Sequence, residues 1–162
     1  MVNFREVQYM RRVWWVMLLV VGIAVMMWWG FFQQIIVGEP WGNNPGPDWM
    51  MWLFLILFGI GFPIAFYWMR LIVEVLDDSV FIRYVPLTKA TILLSDIRDV
   101  EARTYKPLRE YGGWGVRRRS NRRAYNVSGD RGVELTLHDG QIIMIGSQKA
   151  EELALAIISQ LP

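Results

Sequence analysis

The sequence predicts an α+β protein in two parts: a transmembrane two-helix hairpin, then a small antiparallel β-barrel with a C-terminal helix. Three observations predict it. Two long uncharged runs lie in the first half of the 162 residues, alternation of period two begins after Arg70, and the last turn-forming residues lead into a stretch of helical spacing. Composition agrees, since 54% of the residues are hydrophobic and the mean hydropathy is +0.25, high for a globular domain of this length. The absence of cysteine removes disulfides, thiolate nucleophiles, thiolate metal sites and iron–sulfur clusters. With a single histidine, His138, most metal sites and acid–base dyads go as well, so no catalytic residue, metal or cofactor is expected and a binding or structural role is favoured.

Residues 1–12 form the first element. Asn3-Phe4-Arg5-Glu6 has the form of a capping box, which predicts a helix over residues 4–12, amphipathic and on the cytoplasmic membrane surface. The first span follows. Residues 13–32 are 20 consecutive uncharged residues, about what a helix needs to cross roughly 30 Å of hydrocarbon, and the helix is expected to run over 13–37. Residues 49–69 are a second such run of 21. Each holds ten Leu, Ile, Phe or Val residues, a bias of roughly 3 to 6 kcal/mol towards insertion. A core helix apolar on every face would need more surrounding protein than the second half supplies. A cleaved signal peptide is excluded by the length of the first run and by its ending, Trp28-Trp29-Gly30-Phe31-Phe32, which has no small-x-small cleavage pattern.

Seven of the nine tryptophans, Trp14, Trp15, Trp28, Trp29, Trp49, Trp52 and Trp68, lie near span ends, where an amphipathic ring suits the headgroup layer. The loop over residues 38–48 carries Glu39 and Asp48 and no base, while Arg5, Arg11 and Arg12 precede the first span and Arg70 follows the second. Positive-inside bias therefore predicts a multi-pass plasma-membrane protein with both termini cytoplasmic. Pro63, after Gly59 and Gly61, is expected to loosen or kink the second helix unless neighbours satisfy the freed carbonyl.

Residues 70–162 read as one cytoplasmic domain. Strands over 71–76 and 80–85, joined at Asp77-Asp78-Ser79, place Val73, Val75, Ile82 and Tyr84 on one face. Further strands are predicted over 89–94 and 98–105. Asp139-Gly140 is the favoured dipeptide of a two-residue hairpin loop, which would set Leu137 opposite Ile142 and Leu135 opposite Met144. Ser147 is the expected N-cap of a closing helix with Glu151 and Glu152 in its first turn and Leu153, Ala154, Ile157, Ile158 and Leu161 along one face. Six or seven antiparallel strands followed by one helix is the plan of a small barrel plugged at one end, as in pleckstrin-homology-like domains, a plan that does not by itself specify a ligand.

The charge is +2 overall but unevenly placed. From residue 103 to 131 there are nine basic residues against Glu110 and Asp130. Its centre, Arg117, Arg118, Arg119, Arg122 and Arg123, is the candidate site for anionic lipid headgroups or a protein partner, with the neighbouring Tyr111 and Trp114 as candidate contact residues. Each basic residue near an anionic leaflet contributes about 1 kcal/mol, whereas a solvated basic loop would contribute nothing. Tyr105, Tyr111, Trp114 and Tyr125 interleave with the arginines as nucleic-acid stacking residues would, but tethering to a membrane disfavours nucleic acid as a partner. Trp114 itself, in Gly112-Gly113-Trp114-Gly115, reads first as a core or bulge residue. This glycine run lacks the spacing of a phosphate loop. Asn126-Val127-Ser128 is a chance glycosylation match on the cytoplasmic side, and His138 beside the turn is solvated and passive.

Several strings together carry a resemblance: Phe4-Arg5-Glu6-Val7-Gln8, Gln33-Gln34, Asn44-Pro45-Gly46-Pro47-Asp48, Glu101-Ala102-Arg103-Thr104-Tyr105, residues 108–117, Ala124-Tyr125-Asn126-Val127-Ser128-Gly129 and Ile145-Gly146-Ser147-Gln148. Across nearly its whole length the chain resembles an uncharacterised family of small prokaryotic two-span membrane proteins. Its second half resembles bacterial pleckstrin-homology-like domains in strand order. The resemblance implies architecture and a prokaryotic plasma membrane, and no catalytic residues; residues 118–123 lie outside the matching strings. The functional expectation is a non-catalytic membrane protein displaying a binding domain for a protein partner or anionic lipid. The alternatives are an accessory or assembly subunit of a larger membrane complex, including a homo-oligomer, and last an enzyme built around Trp114.

Overall fold

The computed structural model describes residues 2–161, an α+β chain in two compact units, one spanning Met10–Met69 and the other made of residues 2–9 and 70–161. Within the first unit, helix α1 (Trp14–Val37) and helix α2 (Asp48–Trp68) are 24 and 21 residues long, enough in length and apolarity to cross a membrane. Leu18, Leu19, Val25, Ile56 and Ile64 are all more than half exposed, so the helices are apolar outside as well as where they touch. Phe31, Met51 and Leu55 are buried together with Ile35 and Trp41 packed on them. The Trp41 ring lies directly over Gly30, where a Cβ would stand 2.7 Å from it. Near the loop, the Gln34 amide donates to the Gly46 carbonyl and to Asp48 Oδ1, both at 2.9 Å.

Pro63 has the local consequence expected of it. Proline has no N–H to offer the carbonyl of Gly59 four residues earlier, and its ring crowds that turn. The helix widens to π geometry over Leu55–Gly61, and Trp28 Nε1 on α1 donates to the Gly59 carbonyl at 3.2 Å. An indole from the neighbouring helix thus supplies a donor to the carbonyl that Pro63 cannot serve.

The second unit begins with a correction. Residues 4–12 are not a helix: Val2–Tyr9 is strand β1, followed by a short 3-10 turn, Met10–Arg12. Each capping-box residue finds a partner far away in sequence. Asn3 donates to Asp77 at 3.1 Å, Arg5 pairs across the ladder with Glu74 at 3.0 Å, and Glu6 is buried against residues 147 and 148. A free edge of β2 (Arg70–Leu76) supplies the backbone partners that a local helix would have supplied internally.

Strand β2 pairs with β3 (Ser79–Val85), and β3 with β4 (Thr88–Leu93). Leu71 stands opposite Tyr84, Val73 opposite Ile82 and Val75 opposite Val80, all six buried, as the alternation predicts. The 3-10 turn Leu94–Asp96 then ends this four-stranded sheet, and β5 (Ile97–Thr104) opens a second one. After the short helix α3 (Pro107–Tyr111) come β6 (Gly115–Arg119), β7 (Arg122–Asn126), β8 (Arg131–Leu137) and β9 (Ile142–Gly146). The second sheet has the order β5-β8-β9-β7-β6, with β7 and β9 parallel. The predicted closed antiparallel barrel is therefore corrected to two sheets, of four and five strands among the described residues, one of them mixed. Because β9 is taken up by its hairpin partner β8 on one edge, its other edge meets β7 running the same way.

Register at the Asp139-Gly140 hairpin is also corrected, by one residue. Leu135 faces Ile143 and Thr136 faces Ile142, while Met144 faces Glu134. The loop has three residues: Gly140 N–H bonds to Leu137 O, Leu137 N–H bonds to Gln141 O, and Gly140 is left-handed at φ 83°. A type I turn closed by a left-handed glycine uses the same dipeptide as the two-residue loop but shifts the pairing. Asp139 Oδ1 accepts the Gln141 N–H at 2.8 Å. The slip turns Met144 to the opposite face, where it is buried with Tyr105, Tyr111 and Ala124.

Helix α4 (Ala150–Ile158) buries Leu153, Ala154 and Ile157 and packs on β5, β8, β1 and β2. Ser147 is not its N-cap, a position held by Lys149. Instead Ser147 Oγ accepts the Lys149 N–H at 2.9 Å while donating to Glu6 Oε2. Glu6 Oε1 accepts the Gln148 N–H at 2.9 Å, and Gln8 Nε2 donates to the Gly146 carbonyl at 2.8 Å. The first strand is therefore held to the turn that launches the last helix by three hydrogen bonds from two buried side chains.

Candidate functional site

The arginine cluster folds as a hairpin at the edge of the second sheet. Strand β6 pairs on one side only, with β7, and the turn between them is Ser120-Asn121, with Ser120 left-handed at φ 41°. A non-glycine residue held there stores strain, and here the tip is anchored: Asn121 Nδ2 donates to the Gly140 carbonyl, and Asn121 O accepts the Ile142 N–H at 2.9 Å.

Cross-strand register sets the geometry of the charges. Arg118 stands opposite Arg123 and Arg119 opposite Arg122, with Arg117 opposite Ala124. Like charges directly opposite one another destabilise a ladder, by an amount on the order of the 0.2 to 1 kcal/mol that opposite charges would gain. Among the described residues none of the five arginines pairs with a carboxylate. Alternation puts Arg117, Arg119 and Arg122 on the face that carries Ala124, and Arg118 and Arg123 on the other.

The Ala124 face adjoins α3. A shallow cleft of about 430 Å³ opens there, lined by Arg109, Glu110, Arg119, Ser120, Asn121 and Arg122. Among the described residues its one acid, Glu110, is already engaged. Glu110 Oε2 accepts Arg103 at 2.7 Å and Glu110 Oε1 accepts the Lys106 N–H at 2.7 Å. Those bonds, Arg103 first, hold the Glu110 carboxyl below the usual carboxylate range against the opposing effect of burial, and the Arg122 charge adds to them. Arg103 also bonds Glu134, so it is shared by two carboxylates behind the cleft.

The aromatic candidates lie elsewhere. Tyr111 is buried at the end of α3, edge-to-face with Tyr105 at 5.9 Å, and burial raises its pKa. Trp114 is half-buried, its Nε1 donating to the Gly129 carbonyl at 2.8 Å, between Gly113 and Gly115, both at positive φ. Arg117 reaches back over Gly113. Tyr105 and Tyr125 are buried too, so the rings that interleave with arginines in sequence are not open stacking faces. Burial pushes the Tyr105 hydroxyl up to about 12, opposed by the Asn126 Nδ2 that donates to it at 2.7 Å. Ser120 and Asn121 reach the cleft as the turn of the arginine hairpin, whereas Arg109 is brought there only by the placement of α3.

Residues 1–162, the whole chain, match a family of unknown function (DUF6141). The chain belongs to that family. No curated protein and no solved structure matches it. The family match agrees with the resemblance drawn from the sequence strings, and several of those strings meet in the fold: residues 4–8 touch residues 145–148, and Tyr105 touches Asn126 beside Gly146.

Proposed function

We propose that this family member is an integral membrane protein with both termini cytoplasmic, whose pleckstrin-homology-like unit of residues 2–9 and 70–161 binds anionic lipid headgroups through the β6–β7 hairpin, without catalysis of its own. The observation that carries the reading is the hairpin itself: five arginines, three on edge strand β6 and two on its partner β7, two pairs facing like to like, and no carboxylate partner among the described residues. Such an arrangement is destabilising alone and is relieved by an external anion. Near an anionic leaflet five cations are worth several kcal/mol, at about 1 kcal/mol each.

Topology supports the same reading. Strand β1 before the first helix and strand β2 after the second are one ladder, which fits two crossings that return the chain to the side it left. Strand order supports the pleckstrin-homology-like description, with its sheets followed by a C-terminal helix, although the closed barrel is replaced by two sheets. A docking role within a larger membrane complex is the second reading, favoured by the half-exposed Leu93 on edge strand β4 and the exposed Leu87 before it.

The test is lipid selection by the full chain. Reconstituted in mixed phosphatidylglycerol and phosphatidylcholine nanodiscs, the protein should enrich the anionic lipid, read by spin-labelled lipid immobilisation. Changing all five arginines to Gln should abolish the preference. Equal immobilisation of both lipids by the unchanged chain rejects the lipid reading and leaves the docking one. Reporter fusions at the two termini test the orientation.

A further inference from the structure

We infer that the α3 face of the arginine hairpin is a discrete site for a phosphate group, formed by Arg109, Arg119 and Arg122 with the Ser120-Asn121 turn, and separate in role from Arg118 and Arg123 on the opposite face. This deepens the lipid reading and rests on it only for the source of the phosphate. Three features distinguish the two faces. First, Arg119 and Arg122 are direct cross-strand neighbours on one side of the ladder, and Arg109 from α3 lines the same cleft, so three arginines border one cleft that neither Arg118 nor Arg123 lines. Second, the only carboxylate among the described residues lining the cleft, Glu110, accepts its hydrogen bonds from Arg103 and the Lys106 amide and acts on Arg122 through charge alone, so three cations face one carboxylate. Third, the turn that spaces Arg119 and Arg122 is held by Asn121 to Gly140 and Ile142, which reduces the ordering cost when an anion binds.

The chemistry selects phosphate. Guanidinium groups present paired N–H donors that match two oxygens of a tetrahedral anion, and several around one cleft suit a group with two or more negative charges. Ser120 adds a hydroxyl at the lip. A volume of about 430 Å³ exceeds what an inorganic phosphate fills and falls in the range of sites for larger ligands. The phosphate can come from a lipid with a terminal phosphomonoester or from a free phosphate compound; both present the same group to the cleft.

The experiment uses the full chain in an uncharged, phosphate-free detergent. Inorganic phosphate is titrated at constant ionic strength against chloride, with thermal stability and tryptophan emission as readouts. A second arm places the chain in neutral nanodiscs doped with phosphatidic acid or phosphatidylglycerol. The expected result is saturable stabilisation by phosphate, weakened about tenfold or more in Arg119→Gln and Arg122→Gln, since a hydrogen bond to a charged group is worth about 1.5 to 3 kcal/mol. R118Q and R123Q should keep saturable binding. R119K with R122K, which retains charge but not the paired donors, should also lose affinity, and unfolding of each variant without phosphate that is no easier than that of the unchanged chain checks its fold. In nanodiscs, a preference for phosphatidic acid that R119Q removes assigns a lipid source; saturable inorganic phosphate binding without that preference assigns a soluble one. Non-saturable stabilisation, or equal losses from R118Q and R119Q, overturns the discrete site. Anionic-lipid preference that persists in that event leaves the lipid-binding function standing, whereas saturable phosphate binding without any lipid preference removes that function and keeps the site.

Discussion

Replacing Glu6 with alanine tests the fold where it departs most from local expectation. Glu6 is buried on β1, and its two oxygens accept the Ser147 hydroxyl and the Gln148 N–H, more than 140 residues away. The alanine variant leaves that hydroxyl and that amide without their acceptor beside the start of α4. A hydrogen bond to a charged group contributes about 1.5 to 3 kcal/mol, so losing two costs roughly 3 to 6 kcal/mol, less what water entering the gap returns. Even 2 kcal/mol corresponds to a fall in melting temperature on the order of 10 °C for a unit of about a hundred residues. The assay is thermal unfolding of the full chain in mild detergent, followed by near-ultraviolet circular dichroism, with hydrogen exchange at residues 147–152 as a local probe. Glu6→Gln keeps one acceptor oxygen and should lose clearly less. If Glu6→Ala unfolds within about 2 °C of the unchanged chain and protection at Gln148 is the same, residues 2–9 do not dock as described and the reasoning fails.

Three further outcomes follow from single contacts. Gly146→Ala should destabilise the folded unit by about 2 kcal/mol or more in urea titration, because its Cβ would stand 2.6 Å from Asn126 Cβ and 3.2 Å from Tyr105 Oη; an unchanged midpoint would refute that close approach. Trp28→Phe should weaken the helix pair by roughly 1 kcal/mol by leaving the Gly59 carbonyl without its indole donor, and should cost less when combined with Pro63→Ala, as a double-mutant cycle in micelles would measure. Tyr84→Phe should leave stability at neutral pH unchanged or higher, because the Tyr84 hydroxyl is buried without a partner. Burial also pushes that hydroxyl up to about 12, opposed by Arg117, so between the ordinary value near 10 and about 12 the unfolded chain ionises first and stability falls as pH rises. The phenylalanine variant should therefore lose less stability across that alkaline window.

How much of this was readable in advance depended on whether the deciding partners are close in sequence. The two long helices were legible because a membrane-length helix satisfies its backbone internally, which shows as an unbroken apolar run. The β2–β3 hairpin was legible because alternation on both sides of Asp77-Asp78-Ser79 demands one register. At Asp139-Gly140 the same dipeptide serves a two-residue and a three-residue loop, so the sequence located the turn and left the register open by one. Residues 3–6 are less legible: Asn3 and Glu6 satisfy a local capping pattern, yet their partners are Asp77, Ser147 and Gln148. The arginines were visible as a charge run, but Arg109 joined them only through the position of a five-residue helix, too short to leave a periodic trace.

The sequence by itself determined where the apolar helices lie, that strands and a terminal helix follow them, and that chemistry based on cysteine is absent. Tertiary structure alone decided that the first residues complete a sheet begun after the second helix, that the strands divide between two sheets, and that Arg109 lines one cleft with Arg119 and Arg122. The physical reason is the range of the interactions. Helix length and alternation are set by neighbours a few residues apart, whereas a free strand edge and a buried carboxylate acquire their partners only when distant segments meet.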